Sequence, residues 1–278
     1  MEVYTRIHEA LKEVGLSDWR LDVPQIEDKL YELTTEFLLP IVSCSQLIKK
    51  KKIKEACEQL KPIVAKTDSK TYKSAWTMLM DCYLRDKSLH DCAKELLAAA
   101  PIKTWQDSSH YLQRSYYSLH LCNAEDALAF ANQALELNRD LAPAKVNKAI
   151  SLHMLGQRRE LAPLLKDLKS PSATDHHKAA AYAIEGKLEE SMNSLERAIV
   201  LGRYSVDDAC RDVAFRVFWG LEPFERHLRP FSKHKPFIYP RDPCPMSKAE
   251  RIVRAKVSAH SKKSSPTSGP KQRRKAAT

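Results

Sequence analysis

Between Ala124 and Leu168 the small and apolar residues of this chain fall on single helical faces, and one of those faces is nearly all alanine. Ala127, Ala131, Ala134 and Leu137 are spaced four, three and three apart, which places them in one stripe along a helix. A stripe of small side chains lets a second helix approach closely along its whole length. The run Asn138-Arg139-Asp140 ends that periodicity, and Pro143 suits the first turn of a new helix. The next helix carries Val146, Ala149, Ile150, Leu152 and Leu155 and stops at Gly156, after which Leu161, Leu164, Leu165 and Leu168 share the face of a third. Short helices, short turns and a small residue at each crossing describe a helical hairpin.

The pattern recurs. Aligned on the first small or apolar contact of each second helix, Ala56, Cys92, Ala127, Leu161 and Ser191 stand 36, 35, 34 and 30 residues apart. Four residues on come Leu60, Leu96, Ala131, Leu165 and Leu195; seven on come Ile63, Ala99, Ala134, Leu168 and Ala198. A two-helix unit with a period near 34 resembles the tetratricopeptide repeat (TPR), over about residues 37–201. The version is degenerate: a turn glycine stands only at Gly156 and Gly186, and no repeat has the family's early tryptophan in place. The resemblance implies an all-α, right-handed α-solenoid of about five TPR-like hairpins. It also implies a concave groove, lined by the first helices, that binds a protein or peptide. Some TPR proteins clamp a chaperone-tail carboxylate with Lys and Asn on successive first helices. Asn147 has the matching place for one such Asn, but Leu112 and Tyr116 stand in the preceding repeat, and Ala173 and His177 in the following one, where the clamp needs basic and amide groups. That clamp is not expected here.

Around the array the sequence predicts three further regions. Residues 1–36 form N-terminal capping helices, with Ile7, Ala10, Leu11 and Val14 on one face and Ile26, Leu30 and Leu33 on the next. Residues 202–247 form a C-terminal cap, entered at Ser205 with Asp207 and Asp208 in the first turn, then a segment with prolines at 230, 236, 240, 243 and 245 that packs aromatics on the array. Residues 248–278 form a basic and largely disordered tail, although Met246 to Ser258 can make one more helix.

Charge separates the tail from the body. Of the net +11, the residues from Lys248 onward supply +9, ten Lys or Arg against the single acid Glu250. The near-neutral body lacks the basic groove that a helical-repeat RNA reader needs, while the tail can make sequence-independent phosphate contacts. A nucleic-acid-associated protein is therefore the alternative to a scaffold or adaptor. Lys262, Lys263, Arg273, Arg274 and Lys275 resemble a bipartite nuclear import signal or a phosphate contact, which gives an expected localisation of cytoplasm, nucleus or both. The run Lys49 to Lys52 sits at an interhelical turn and reads as solvated charge.

Nothing in the chain asks for catalysis. It has no GxGxxG, GxxxxGK[ST], HExxH or GxSxG motif, so the expectation is a non-enzymatic protein with no cofactor, no metal and no small-molecule substrate. Seven cysteines without CxxC spacing read as free thiols in a reducing compartment. The first residues are charged and amphipathic rather than leader-like, and no apolar run reaches the ~20 residues of a membrane span. Adjacent residues on a helix diverge by about 100°, so Tyr116 and Tyr117 cannot both be core, and one of them reaches a groove. The groove residues expected are Thr77, Asp81, Tyr116, Asn147, His153 and His177.

Overall fold

The computed structural model describes residues 39–65, 72–99, 107–232, 237 and 245–263; residues 1–36 and the segment 264–278 lie outside them. The described residues are helical throughout their regular structure, with no strand. They fall into two compact units, residues 1–106 and 107–278. The expected single array from 37 to 201 is thus divided after the second hairpin.

In the first unit, α1 (Leu39–Lys49) pairs with α2 (Ile53–Ala65), and α3 (Tyr72–Arg85) with α4 (His90–Ala98). Helix α2 packs on α3 as well as on α1. The turn of the first hairpin holds exposed Lys50, Lys51 and Lys52, and Lys52 pairs with Glu55 at 3.0 Å; this is the solvated run expected. One register is corrected. In α4 the buried residues are Ala93 and Leu97, not Cys92 and Leu96, and Ala99 is exposed. A 3-10 helix at Lys87–Leu89 leads into α4, and this extra turn is what the one-residue slip accommodates.

The second unit contains three further hairpins: α5 (Ser108–His120) with α6 (Ala124–Leu137), α7 (Ala142–Leu155) with α8 (Arg158–Leu168), and α9 (Asp175–Glu185) with α10 (Leu188–Val200). Each helix packs on the next along the chain, and the first helices α5, α7 and α9 also pack side by side. Ala127, Ala131 and Ala134 are fully buried, but Leu137 at the end of the stripe is exposed.

The crossings repeat at a separation of twelve residues. The Cys44 thiol points at the Ala56 carbonyl at 3.8 Å, the Ser115 hydroxyl donates to the Ala127 carbonyl at 2.8 Å, and the Ser191 hydroxyl donates to the Ala179 carbonyl at 2.8 Å. A buried hydroxyl needs a partner, and here the neighbouring helix's backbone supplies it. Turn geometry repeats too. Gly156 (φ 72°) and Gly186 (φ 78°) end α7 and α9 in the left-handed conformation, and Lys51 (φ 60°) and Cys122 (φ 65°) hold it in the first and third hairpins.

Beyond the array come α11 (Val206–Ala209), a 3-10 helix over Val213–Phe218 and α12 (Glu222–Leu228). Ser205 and Asp208 form a full capping box at the start of α11. Phe215, Phe218 and Phe224 are fully buried, and the 3-10 helix lies against α9 and α7. The last described element, α13 (Lys248–Lys263), is the further helix that the sequence offers from Met246 to Ser258, continued to Lys263; the rest of the basic tail lies outside the described residues. Helix α13 is packed on α7, α9 and the 3-10 helix, with Glu250, Val253 and Val257 buried. Cys44, Cys57, Cys82, Cys92 and Cys210 are free; Cys122 is disulfide-bonded, against the expectation of free thiols throughout.

Candidate peptide-binding cleft

Tyr116, Asn147 and His177 come from α5, α7 and α9, the first helices of three successive hairpins, and they line one cleft of about 310 Å³ in the second unit. Leu112, Gln113, Pro143, Val146, Ala180 and His176 extend its walls, and Tyr204 and Asp212 close it from the segment after the array. The tyrosine pair divides as its geometry requires: Tyr117 is buried at 2% exposure, while Tyr116 faces the cleft, with its ring 4.4 Å from His120. Asn147 is buried, and its amide donates to the Leu112 carbonyl at 3.4 Å, tying α7 to α5.

At the far wall the Thr174 hydroxyl lies between two imidazoles, 2.7 Å from His177 Nδ1 and 3.2 Å from His176 Nδ1. A hydroxyl has one hydrogen to donate and two lone pairs with which to accept, so Thr174 can bridge the two rings. Burial pulls the His177 imidazole down to about 4, and His176 beside it adds to the effect. Burial also lowers His176, with Asp212 and Asp175 opposing. The His176 ring stacks on Tyr204 at 5.4 Å, and the Tyr204 hydroxyl donates to Asp212 Oδ2 at 2.7 Å. Burial, and then the Asp212 charge, push that hydroxyl well above its usual range. Asp212 also caps the 3-10 helix, accepting from the Ala214 amide at 2.8 Å. Its carboxyl is raised by burial, with the Ala214 amide and the Tyr204 hydroxyl offsetting part of the rise.

The cleft therefore presents aromatic faces, the two amides of Gln113 and Asn147, neutral imidazoles and one acid. Its lining holds no serine, cysteine or lysine. Among the described residues no group of three or more His, Cys, Asp or Glu could hold a metal ion, and no helix is long and apolar enough to cross a membrane.

The remaining expected groove residues are not brought here. His153 lies six residues beyond Asn147, about 240° further round α7. It is held below its usual range by burial, with Glu250 opposing and Arg158 and Arg216 reinforcing, so its environment is the seat of α13 and not the cleft. Thr77 and Asp81 belong to α3 of the first unit, and Thr77 donates back to the Lys73 carbonyl at 2.9 Å. Arg273, Arg274 and Lys275 lie outside the described residues, and Lys262 and Lys263 end α13. Sequence reasoning missed His176, Tyr204 and Asp212. His176 was visible as half of the only His-His pair, but Tyr204 and Asp212 follow the last repeat, where the period no longer assigns a face.

One comparison with known proteins agrees with this architecture. A TPR repeat-containing protein of Methanocaldococcus jannaschii is 36% identical over 89 residues. Over that stretch the chain resembles a TPR repeat protein, and its described residues form an all-α array of TPR-like helical hairpins. The match covers 32% of this chain and 27% of that relative's length. No family model matches the chain, and no solved structure matches it. The TPR-like character thus rests on the pairing of helices, the twelve-residue crossings and this one partial relative.

Proposed function

We propose that the protein is a non-enzymatic scaffold or adaptor that holds a peptide segment of a partner protein in the cleft of its second unit. The observation that carries this reading is the convergence of Tyr116, Asn147 and His177, one from each of three successive first helices, on a single cleft. Repeat arrays bind extended partners in this way, because each hairpin adds one rung of side chains to a common surface. The walls suit an uncharged or cationic side chain. Two tyrosine rings give apolar area with polar edges, Asp212 supplies the negative charge, and the histidines add none at neutral pH.

The test is to select peptides against the full chain from a random display library and measure the best of them on variants. Tyr116→Ala and His177→Ala should each weaken binding about tenfold or more, which corresponds to about 1.4 kcal/mol, with helical content unchanged. Selected peptides that bind both variants as tightly as the parent would place the site elsewhere.

One observation favours the nucleic-acid reading as a second possibility. Helix α13 turns Lys248, Arg251 and Lys256 to solvent, and six further Lys or Arg at 262, 263, 271, 273, 274 and 275 extend the charge. Binding through them would be indifferent to sequence and fall steeply with salt. Truncation after Lys263 is the informative variant, because it removes the final four cations and leaves α13 seated.

A further inference from the structure

Among the described residues the cleft lining carries one full charge, Asp212, and no lysine or arginine. Asp212 Oδ2 accepts from the Tyr204 hydroxyl at 2.7 Å and Oδ1 from the Ala214 amide at 2.8 Å, both of them neutral donors. No cation pairs with it among the described residues; Arg211, its neighbour in the chain, is exposed to solvent. The other acids that act on this wall are committed elsewhere. Asp175 pairs with Arg197 at 3.2 Å, and Asp208 closes the capping box with Ser205. His176 is held below its usual range by burial, so it supplies no positive charge at neutral pH. Burial in turn raises the Asp212 carboxyl, as it does for an acid that is poorly hydrated and lacks a counter-charge.

We propose that the partner peptide is anchored by a lysine or arginine side chain, whose charged head pairs with the Asp212 carboxylate while its methylene stem lies along the apolar and tyrosine walls of the cleft. This rests on the reading of the cleft as a peptide site.

The reasons lie in what each kind of ligand would do to Asp212. An apolar or anionic group filling the cleft strips water from the carboxylate and returns nothing, which is costly for a charge. A cation restores the lost interaction. The other walls add to the same preference. Asn147 Nδ2 donates to the Leu112 carbonyl, which leaves Oδ1 to accept, and lysine and arginine carry donors only. Tyrosine rings attract a cation to their faces. Leu112 and Val146 offer apolar surface of the kind that a long basic side chain covers with its stem. The volume of about 310 Å³ is at the small end of the ~300–1,000 Å³ of ligand pockets, room for a long side chain and the backbone beside it.

The test takes display-selected peptides and replaces each lysine or arginine in them by norleucine, which keeps an alkyl stem and removes the charge. On the parent chain one such replacement should weaken binding about tenfold or more, the loss expected of a hydrogen bond to a charged group. On an Asp212→Asn chain, which keeps the side chain's shape, the same replacement should cost less than about threefold, because the pair is already broken. The norleucine series on the parent needs no protein variant and stands whatever Asp212→Asn does to folding. A second probe needs no peptide. n-Butylammonium and 1-butanol are titrated into the full chain at fixed ionic strength, and the amide NMR shifts of His177, Tyr204 and Asp212 are followed. Butylammonium should shift them saturably on the parent, and neither butanol nor the Asp212→Asn chain should reproduce that response. Peptides that lose affinity on Tyr116→Ala but keep it with norleucine would overturn the cationic anchor and leave the cleft as a peptide site. Peptides indifferent to Tyr116→Ala, with butylammonium still held at Asp212, would overturn the peptide reading and the anchor with it, leaving a site for a free organic cation. Equal responses to butylammonium and butanol would overturn the pairing with Asp212 itself.

Discussion

Two glycines with nearly the same backbone but different surroundings give a direct measure of how closely α13 is held. Gly156 and Gly186 both end first helices in the left-handed conformation, at φ 72° and 78°. An alanine at either position carries the same conformational cost, about 1–2 kcal/mol. A Cβ at Gly156 would meet nothing within 4 Å, but at Gly186 it would stand 2.9 Å from Val253 Cγ1, 3.7 Å from Val253 Cβ and 3.8 Å from Cγ2. Valine is β-branched and has one strongly preferred rotamer in a helix, so it cannot swing aside and α13 itself must shift. Overpacking of this kind costs about 1–3 kcal/mol. Gly186→Ala should therefore lose about that much more stability than Gly156→Ala, an additional fall in melting temperature of roughly 2–10 °C for a unit of this size. Thermal and urea unfolding followed by circular dichroism would measure both losses. Val253→Ala supplies the cycle: in the Gly186→Ala background it removes the clashing methyl, so the double variant should be more stable than the two single losses predict. Equal losses for the two glycine variants, with strict additivity at Val253, would mean that α13 does not press on the α9–α10 turn.

Three other outcomes follow from the same packing. Glu250→Ala removes the carboxylate to which the buried Arg216 donates and should cost about 3–5 kcal/mol, whereas a joint Arg216→Met and Glu250→Met replacement should recover most of it, as read by urea unfolding; equal loss in single and double variants would refute the pairing. His120, whose ring burial and the Arg216 charge hold at about 4, takes up its proton in the unfolded chain first as pH falls below about 6.5. Its contribution to stability should be full above that value and fade between about 6.5 and about 4, by roughly 3 kcal/mol, and His120→Gln should flatten the pH dependence of unfolding in that window. Ala134→Trp forces a large ring into a fully buried crossing and should cost roughly 1–3 kcal/mol or more; an unchanged melting curve would place Ala134 outside the interface.

The hairpins were legible because one residue type does one job at each crossing. A small side chain on each second helix lets two backbones approach, and Ala56, Ala127 and Ser191 are buried where the period put them. The turns were harder to read. The left-handed position is glycine in two hairpins but Lys51 and Cys122 in two others, and no local rule names those residues for it. The cleft was half legible. Tyr116, Asn147 and His177 share a face with their helices' neighbours, so periodicity reached them, but His153 was assigned by residue type and not by angle. Tyr204 and Asp212 needed tertiary information, since the 3-10 helix returns to α9 by a path that no spacing encodes.

The tail shows why net charge is a poor guide to what a segment does. Ten cations in 31 residues gave the segment a largely disordered composition with room for one helix near its start, and its first sixteen residues form a seated helix. The signal lay in the exceptions to the charge and not in its sum. Glu250 is the one acid in the segment, and Val253 and Val257 follow it at three and seven residues, the spacing of one helical face. A lone acid on an apolar stripe within a basic run marks the place where that run meets a buried cation. Arg216 was available as that cation, because it sits in the apolar cap sequence Val213-Ala214-Phe215-Arg216-Val217-Phe218, where an unpaired arginine would not be tolerated. Each residue is out of place in its own segment, and the pairing of the two accounts for both.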